Sequence, residues 1–261
     1  MNEYVSGLNN IIIYIFIAII GACIGSFLNV VITRLPEKGA FMSDSRSKCP
    51  ECNHAIRAYD LFPVLSWLIL LGRCRDCKAK ISPRYPLVES TGAFFAIASL
   101  LRYNLDWSAL IVYGVTMILL AIAVIDFKTT EIPDSLNIAI IPFAIASIWL
   151  LPTVPWYSHL IGIVTVALPM LLLTLAVPGA FGGGDIKLMF VCGLLLGWQL
   201  TVLAFFLALI LGGSVAIFLM ASGKRKRGQH MVFGPALCVG VVTALFFGTG
   251  IINWYLQLFL F

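Results

Sequence analysis

The sequence predicts an all-α polytopic membrane protein of about eight transmembrane helices, interrupted by one small four-cysteine insertion. Three observations carry that expectation. Hydrophobic residues make up 61% of the 261-residue chain and charged residues only 11%, where a soluble domain carries about a quarter charged residues. Mean hydropathy is +1.00, and apolar runs approaching the roughly 20 residues of a membrane span recur along the chain. Lys and Arg are segregated: Arg34 to Arg84, Lys128, Lys187 and Lys224 to Arg227 fall on one side of the predicted topology, and Arg102 falls on the other.

Taken in order, the apolar runs predict helices at about Asn10–Thr33, Tyr85–Leu101, Trp107–Ile125, Ser135–Leu151, Ser158–Val177, Ile186–Trp198, Leu200–Ala221 and Val232–Tyr255. The sixth is short for a full crossing, so it is expected to tilt little or to be partly re-entrant. The first run lacks a basic flank before it and a small-residue cleavage site after it, which predicts that it stays as the first helix. Eight spans put both termini on one side, and the positive-inside rule makes that side the exterior and the insertion cytoplasmic. The expected organisation is therefore a first helix at 1–34, a cytoplasmic insertion at 35–84 and a membrane core at 85–261.

The first helix carries Gly21, Gly25 and Asn29 at intervals of four, one stripe along which a second helix can approach closely. Arg34-Leu35-Pro36 closes it, proline ending the helix and arginine marking the cytoplasmic face. In the insertion, Cys49-Pro50-Glu51-Cys52 and Cys74-Arg75-Asp76-Cys77 are each followed by isoleucine at the same offset, Ile56 and Ile81, so they read as repeated knuckles. Two Cys-x-x-Cys turns about 20 residues apart have the spacing of a tetrahedral four-thiolate zinc site. A reducing cytoplasm disfavours the disulfide reading. His54 is an alternative ligand, but four cysteines already fill the shell, and a closed shell leaves no position for water, so the expected role is structural. Between the knuckles, Asp60 to Gly72 is too short to span and is expected at the membrane interface or beneath the knuckles. Glu89 is expected in the first turn of the second span, where the helix dipole favours an anion, and in a capping and packing role at least as readily as a functional one.

Two acids stand out against the apolar background. Asp126 follows the unbroken run Ile111–Ile125, and Asp185 follows Gly182-Gly183-Gly184 where one apolar run gives way to the next. A charge at the edge of hydrocarbon is costly and points to function. Three glycines before Asp185 remove every Cβ, which permits positive φ and the close approach of another chain. Asp134, after Pro133, reads as an ordinary helix N-cap. Lys187 is either a group that positions a carbonyl or phosphate, or a lysine snorkelling to the interface. The basic turn Lys224–Arg227 fits anionic lipid, with nothing to support nucleic acid. His230 and Met231 open the last span, His159 is expected at the outer surface, and Cys23, Cys192 and Cys238 read as small packing residues.

Two carboxyl groups that share one proton can cleave a peptide bond without a covalent intermediate, one activating water and the other hydrogen-bonding the carbonyl. Gly182-Gly183-Gly184-Asp185 resembles the Gly-x-Gly-Asp signature of intramembrane aspartic proteases. With Gly25-Ser26-Phe27-Leu28-Asn29, Arg34-Leu35-Pro36, the doubled Cys-x-x-Cys, Ile81-Ser82-Pro83-Arg84-Tyr85-Pro86, Asp126, Pro133-Asp134, Gly184-Asp185-Ile186-Lys187-Leu188 and Phe233-Gly234-Pro235, the chain resembles the bacterial type IV prepilin peptidase family. The resemblance implies cleavage of prepilins and pseudopilins after a glycine that ends a basic leader, then N-methylation of the exposed residue with S-adenosylmethionine. It also implies Asp126 and Asp185 as the catalytic dyad and the four cysteines as zinc ligands. No residues for S-adenosylmethionine are legible. The alternatives are a peptidase without methyl transfer, a metal- or proton-coupled transporter, and a non-enzymatic assembly factor.

Overall fold

The computed structural model describes residues 2–36, 47–151, 154–222 and 232–259. The basic turn at 224–227, His230, Met231 and part of the insertion lie outside them. The chain divides into two compact units, Met1–Leu105 and Asp106–Phe261.

In the first unit, α1 (Asn2–Arg34) packs on α3 (Arg84–Tyr103). The expected seam of small residues is what lets them meet. A Cβ on Gly21 would lie 2.6 Å from the Gly92 carbonyl oxygen, and one on Gly25 would lie 2.8 Å from the Glu89 Cα, so any larger residue would force the helices apart. Asn29 donates to the Tyr85 carbonyl at 3.1 Å on the same seam, a cross-helix tie made by its Nδ2 while its buried Oδ1 has no partner. The short helix α2 (Leu65–Ile69) lies between the knuckles.

The second unit holds α4 (Trp107–Thr129), α5 (Asp134–Leu150), α6 (Trp156–Thr165), α7 (Ala167–Ala176), α8 (Gly183–Leu196), α9 (Trp198–Ala221) and α10 (Gly234–Phe259). The fifth predicted helix is broken at Val166 because Pro169 removes the donor that would bond the Thr165 carbonyl four residues back and its ring crowds that carbonyl. α8 is the inner helix: Leu188, Met189 and Cys192 are fully buried. Its Gly193 meets Gly162 of α6 backbone to backbone. Ser147 of α5 donates to the Leu195 carbonyl at 3.1 Å. His159 lies, as expected, far from the two acids: it is buried against the last turn of α8, where its Nδ1–H donates to the Leu194 carbonyl at 2.8 Å.

Among the described residues, five helices are long and apolar enough to cross a membrane: Ile11–Arg34, Trp107–Thr129, Trp156–Ala176, Trp198–Ala221 and Gly234–Leu258. α5 and α8, at 17 and 14 residues, extend about 26 and about 21 Å at 1.5 Å per residue, short of the roughly 30 Å of hydrocarbon. Cys192 and Cys238 are buried as expected of packing residues, whereas Cys23 is exposed on α1.

Candidate active site and metal centre

Each knuckle is a short self-bonded turn, and the two repeat each other bond for bond. The Cys49 N–H donates to the His54 carbonyl at 3.0 Å and the Asn53 N–H to the Cys49 carbonyl at 2.9 Å; Cys74 to Ala79 at 2.8 Å and Lys78 to Cys74 at 3.1 Å complete the second copy. The residue after each cysteine pair, Asn53 at φ 56° and Lys78 at φ 61°, turns the chain left-handed. The sulfur atoms of Cys49, Cys52, Cys74 and Cys77 all lie within 4.8 Å of one another, and Cys49 and Cys77 Sγ are 3.8 Å apart. Tetrahedral thiolate coordination at about 2.3 Å places sulfurs about 3.8 Å apart, so the set fits a metal ion. Arg75, inside the second knuckle, clamps Asp60 with bonds of 2.7 and 2.9 Å. Those bonds hold the Asp60 carboxyl below the usual carboxylate range.

Glu89 is the sixth residue of α3, beyond the first turn in which it was expected, and its role is the packing one. It is buried, and its Oε2 accepts the Val64 N–H at 2.7 Å. Val64 sits at φ 62°, a strained position for a β-branched residue.

In the second unit, Asp126 lies in the last turn of α4 and is 5% exposed. Its Oδ2 accepts the Gly234 N–H at 3.1 Å from the start of α10. A Cβ at Gly234 would sit 2.5 Å from that oxygen, so glycine is required by the close approach. Asp185 lies in the first turn of α8, and its Oδ2 accepts the Gly182 N–H at 3.3 Å. The side chain of Ile132 joins the two places: a Cβ on Gly184 would lie 2.9 Å from it and one on Gly234 3.3 Å from it. The acids therefore share one end of this unit, each fixed by one backbone N–H on one oxygen.

The glycines act differently from expectation. Gly182 has φ −72°, and neither Gly183 nor Gly184 takes positive φ. Gly184 answers the close approach of Ile132, while a Cβ on Gly183 would meet nothing within 4 Å. Lys187 is brought to Asp134, with Nζ 2.8 and 2.9 Å from its carboxylate oxygens. Asp134 is the first residue of α5, with Pro133 at the cap position, so it ties the starts of α5 and α8 together instead of capping its own helix.

Three rings support the two N–H donors. Phe181 precedes Gly182, Phe233 precedes Gly234, and the two rings are 5.8 Å apart, with Phe205 of α9 at 6.1 Å from Phe181 and 6.4 Å from Phe233. Separations of this kind are attractive for aromatic pairs. Phe205 and Ile132 gave no sequence signal, since each is one more apolar residue until the fold brings it to the acids. Asn137, one turn into α5, is 3% exposed and neither of its amide atoms has a partner.

The fold and these two sites define a polytopic helical membrane protein with a four-thiol cluster able to hold a metal ion and a pair of acids, one buried and one half-buried, at one end of its second unit. The sequence matches the Bacterial Peptidase A24 N-terminal domain over residues 19–103 and the type IV leader peptidase family over residues 112–217. The chain is 32% identical to a prepilin leader peptidase/N-methyltransferase of Burkholderia pseudomallei (strain 1026b), over 90% of this chain and 85% of the relative. It is 34% identical to that of Aeromonas salmonicida (strain A449), over 90% of both chains. A Bacillus subtilis (strain 168) relative of the same name is 30% identical over 92% of this chain and 96% of its own. This chain belongs to the type IV leader peptidase family. No solved structure matches it.

Proposed function

We propose that this protein cleaves the basic leader from type IV prepilins and pseudopilins with Asp126 and Asp185, then methylates the new N-terminus. Family membership along nearly the whole chain supports the reaction. The observation that carries the residue assignment is the arrangement of the acids: each gives one oxygen to a backbone N–H and keeps the other for chemistry. The nearby cation is occupied by Asp134, so it does not neutralise Asp185. With one proton between them, one carboxylate takes a proton from water while the other donates to the scissile carbonyl, and the roles exchange as the amine leaves. The open space at Gly183 is where an extended substrate strand meets least resistance. Lys187, which the sequence suggested for substrate, fits better as the tie that sets the start of α8.

Zinc is the ion whose chemistry suits four thiolates in a closed shell, and its role is to hold the two knuckles together. S-adenosylmethionine is the methyl donor that the family implies. The apolar groove of the first unit, formed by residues such as Ile19 and Phe62, does not fit a nucleoside cofactor, and no step is assigned to residues for it. The charge distribution supports an inner-membrane protein of eight segments, with the insertion and both acids toward the cytoplasm and the termini outside. A prepilin exposes its leader on that face.

Asp126→Asn and Asp185→Asn test the assignment, since each keeps volume and removes an ionisable group. Cleavage of a prepilin substrate is expected to fall by about 10²–10⁴-fold while membrane insertion is unchanged; retained processing in either variant refutes the pair. Labelled S-adenosylmethionine separates the two activities: cleaved but unlabelled product would leave a peptidase alone.

A further inference from the structure

The stretch between the knuckles carries an apolar face that the rest of its unit leaves bare. Leu61, Phe62, Leu65, Leu68, Ile69 and Leu71 are exposed, Ile69 at 75% and Leu71 at 83%. The stretch is nonetheless firmly held. Arg75 grips Asp60 at its start, the Trp67 indole N–H donates to the Ile81 carbonyl at 3.2 Å, and Leu71 and Gly72, at φ 52° and 66°, turn the chain out again.

Its turn at 62–65 lies against α1. With Ala18, Ile19 and Ala22 it frames an apolar groove of about 190 Å³. Those three residues belong to the middle of the candidate span Ile11–Arg34, of which only 17% is buried. The groove is therefore continuous with the surface that this span offers to hydrocarbon. At that depth no water can satisfy a free backbone donor, so a turn must find its partner in protein. Val64, within the turn, has one: its N–H goes to the buried carboxylate of Glu89. An aqueous turn would have no need of a buried acid for that bond. Above the turn, the second knuckle carries exposed Arg73, Lys78 and Lys80, charges suited to anionic lipid head groups.

We propose that residues 61–71 enter the bilayer as a re-entrant turn, with lipid acyl chains covering its apolar face and filling the groove against α1. The inference stands on the first unit alone and is independent of the acid pair.

Tryptophan quenching in the full-length protein tests it. Ile69→Trp is reconstituted in vesicles of phosphatidylethanolamine and phosphatidylglycerol with brominated acyl chains, Lys80→Trp serves as the aqueous reference, and the emission of the parent's six tryptophans is subtracted. The added emission of Ile69→Trp is expected to be largely lost to brominated lipid and untouched by aqueous acrylamide, with the reverse for Lys80→Trp. Acrylamide quenching of Ile69→Trp equal to that of the reference would overturn the proposal. Protection from both quenchers would overturn it too, since protein rather than lipid would then cover the face. Leu68→Trp repeats the measurement if Ile69→Trp does not fold.

Discussion

In the metal insertion each pair of thiols is set by a turn that closes within five residues, whereas in the second unit the N–H that holds Asp126 comes from Gly234, 108 residues away. The thiol site is thus two local structures whose four sulfurs meet in a cluster that a metal ion could join. The acid site is a product of helix packing: Asp185 is held locally by the Gly182 N–H, but Asp126 is not oriented until α4 and α10 have met, and the two acids come together only when α8 joins them. From this follows a difference in how the two fail. Removing a thiol takes away folding free energy, because ligands that a metal gathers contribute it directly. Removing a carboxyl is expected to leave the helices and their apolar contacts in place and, on the proposed assignment, to subtract chemistry.

Gly234→Ala attacks the packed site at its tightest point, since the new methyl would occupy space held by the Asp126 carboxylate. Displacing a catalytic group by about 1 Å costs on the order of 10²-fold in rate. Cleavage by purified Gly234→Ala is expected to fall by that much, with normal insertion in the membrane; a rate near that of the parent would mean the carboxylate need not stay where Gly234 holds it.

Cys49→Ser attacks the local site. Folded yield and bound zinc are expected to drop several-fold, while the protein that does fold keeps most of its cleavage activity per molecule. A variant that is stable and metal-free yet inactive would reverse the comparison and give the ion a part in the chemistry.

The smallest effect concerns the clamp on the insertion. Arg75 lowers the Asp60 pKa in the folded state, so the stability it lends is complete above the unfolded value of about 3.9 and is lost as pH falls through the depressed one. Asp60→Asn is therefore expected to melt lower than the parent at neutral pH, and the gap is expected to narrow in acid. An unchanging gap would mean that Asp60 acts through packing rather than charge.

The same division governs what could be read in advance. The knuckles were legible because both their ligands and their turns are contiguous in sequence. Asp126 and Asp185 were legible because a charge bordering an apolar run is an anomaly wherever it stands. Their supports were less so: Phe233-Gly234-Pro235 stood out as a motif without showing that its N–H would hold Asp126, and Ile132 and Phe205 are ordinary in an apolar sequence until tertiary contact gives them a role. Spacing also misplaced two polar residues for that reason. Glu89 was expected in the first turn of its helix and, a little further along, holds the Val64 turn; Asp134 was expected to cap its helix and pairs with Lys187. In each case a partner distant in sequence prevailed over the local rule. The seam at Gly21 and Gly25 was legible because spacing by four survives in any straight helix, while the break at Val166 followed from a proline that an apolar count passes over.

The most direct test of the acid pair is single-turnover cleavage of a prepilin by Asp126→Asn, Asp185→Asn and the double variant, compared at equal folded concentration. Groups that work as one unit are strongly non-additive. The three rates are predicted to fall to one common floor, the double variant no slower than either single. Losses that multiply in the double variant, or a single variant that still cleaves near the parent rate, would contradict a shared role.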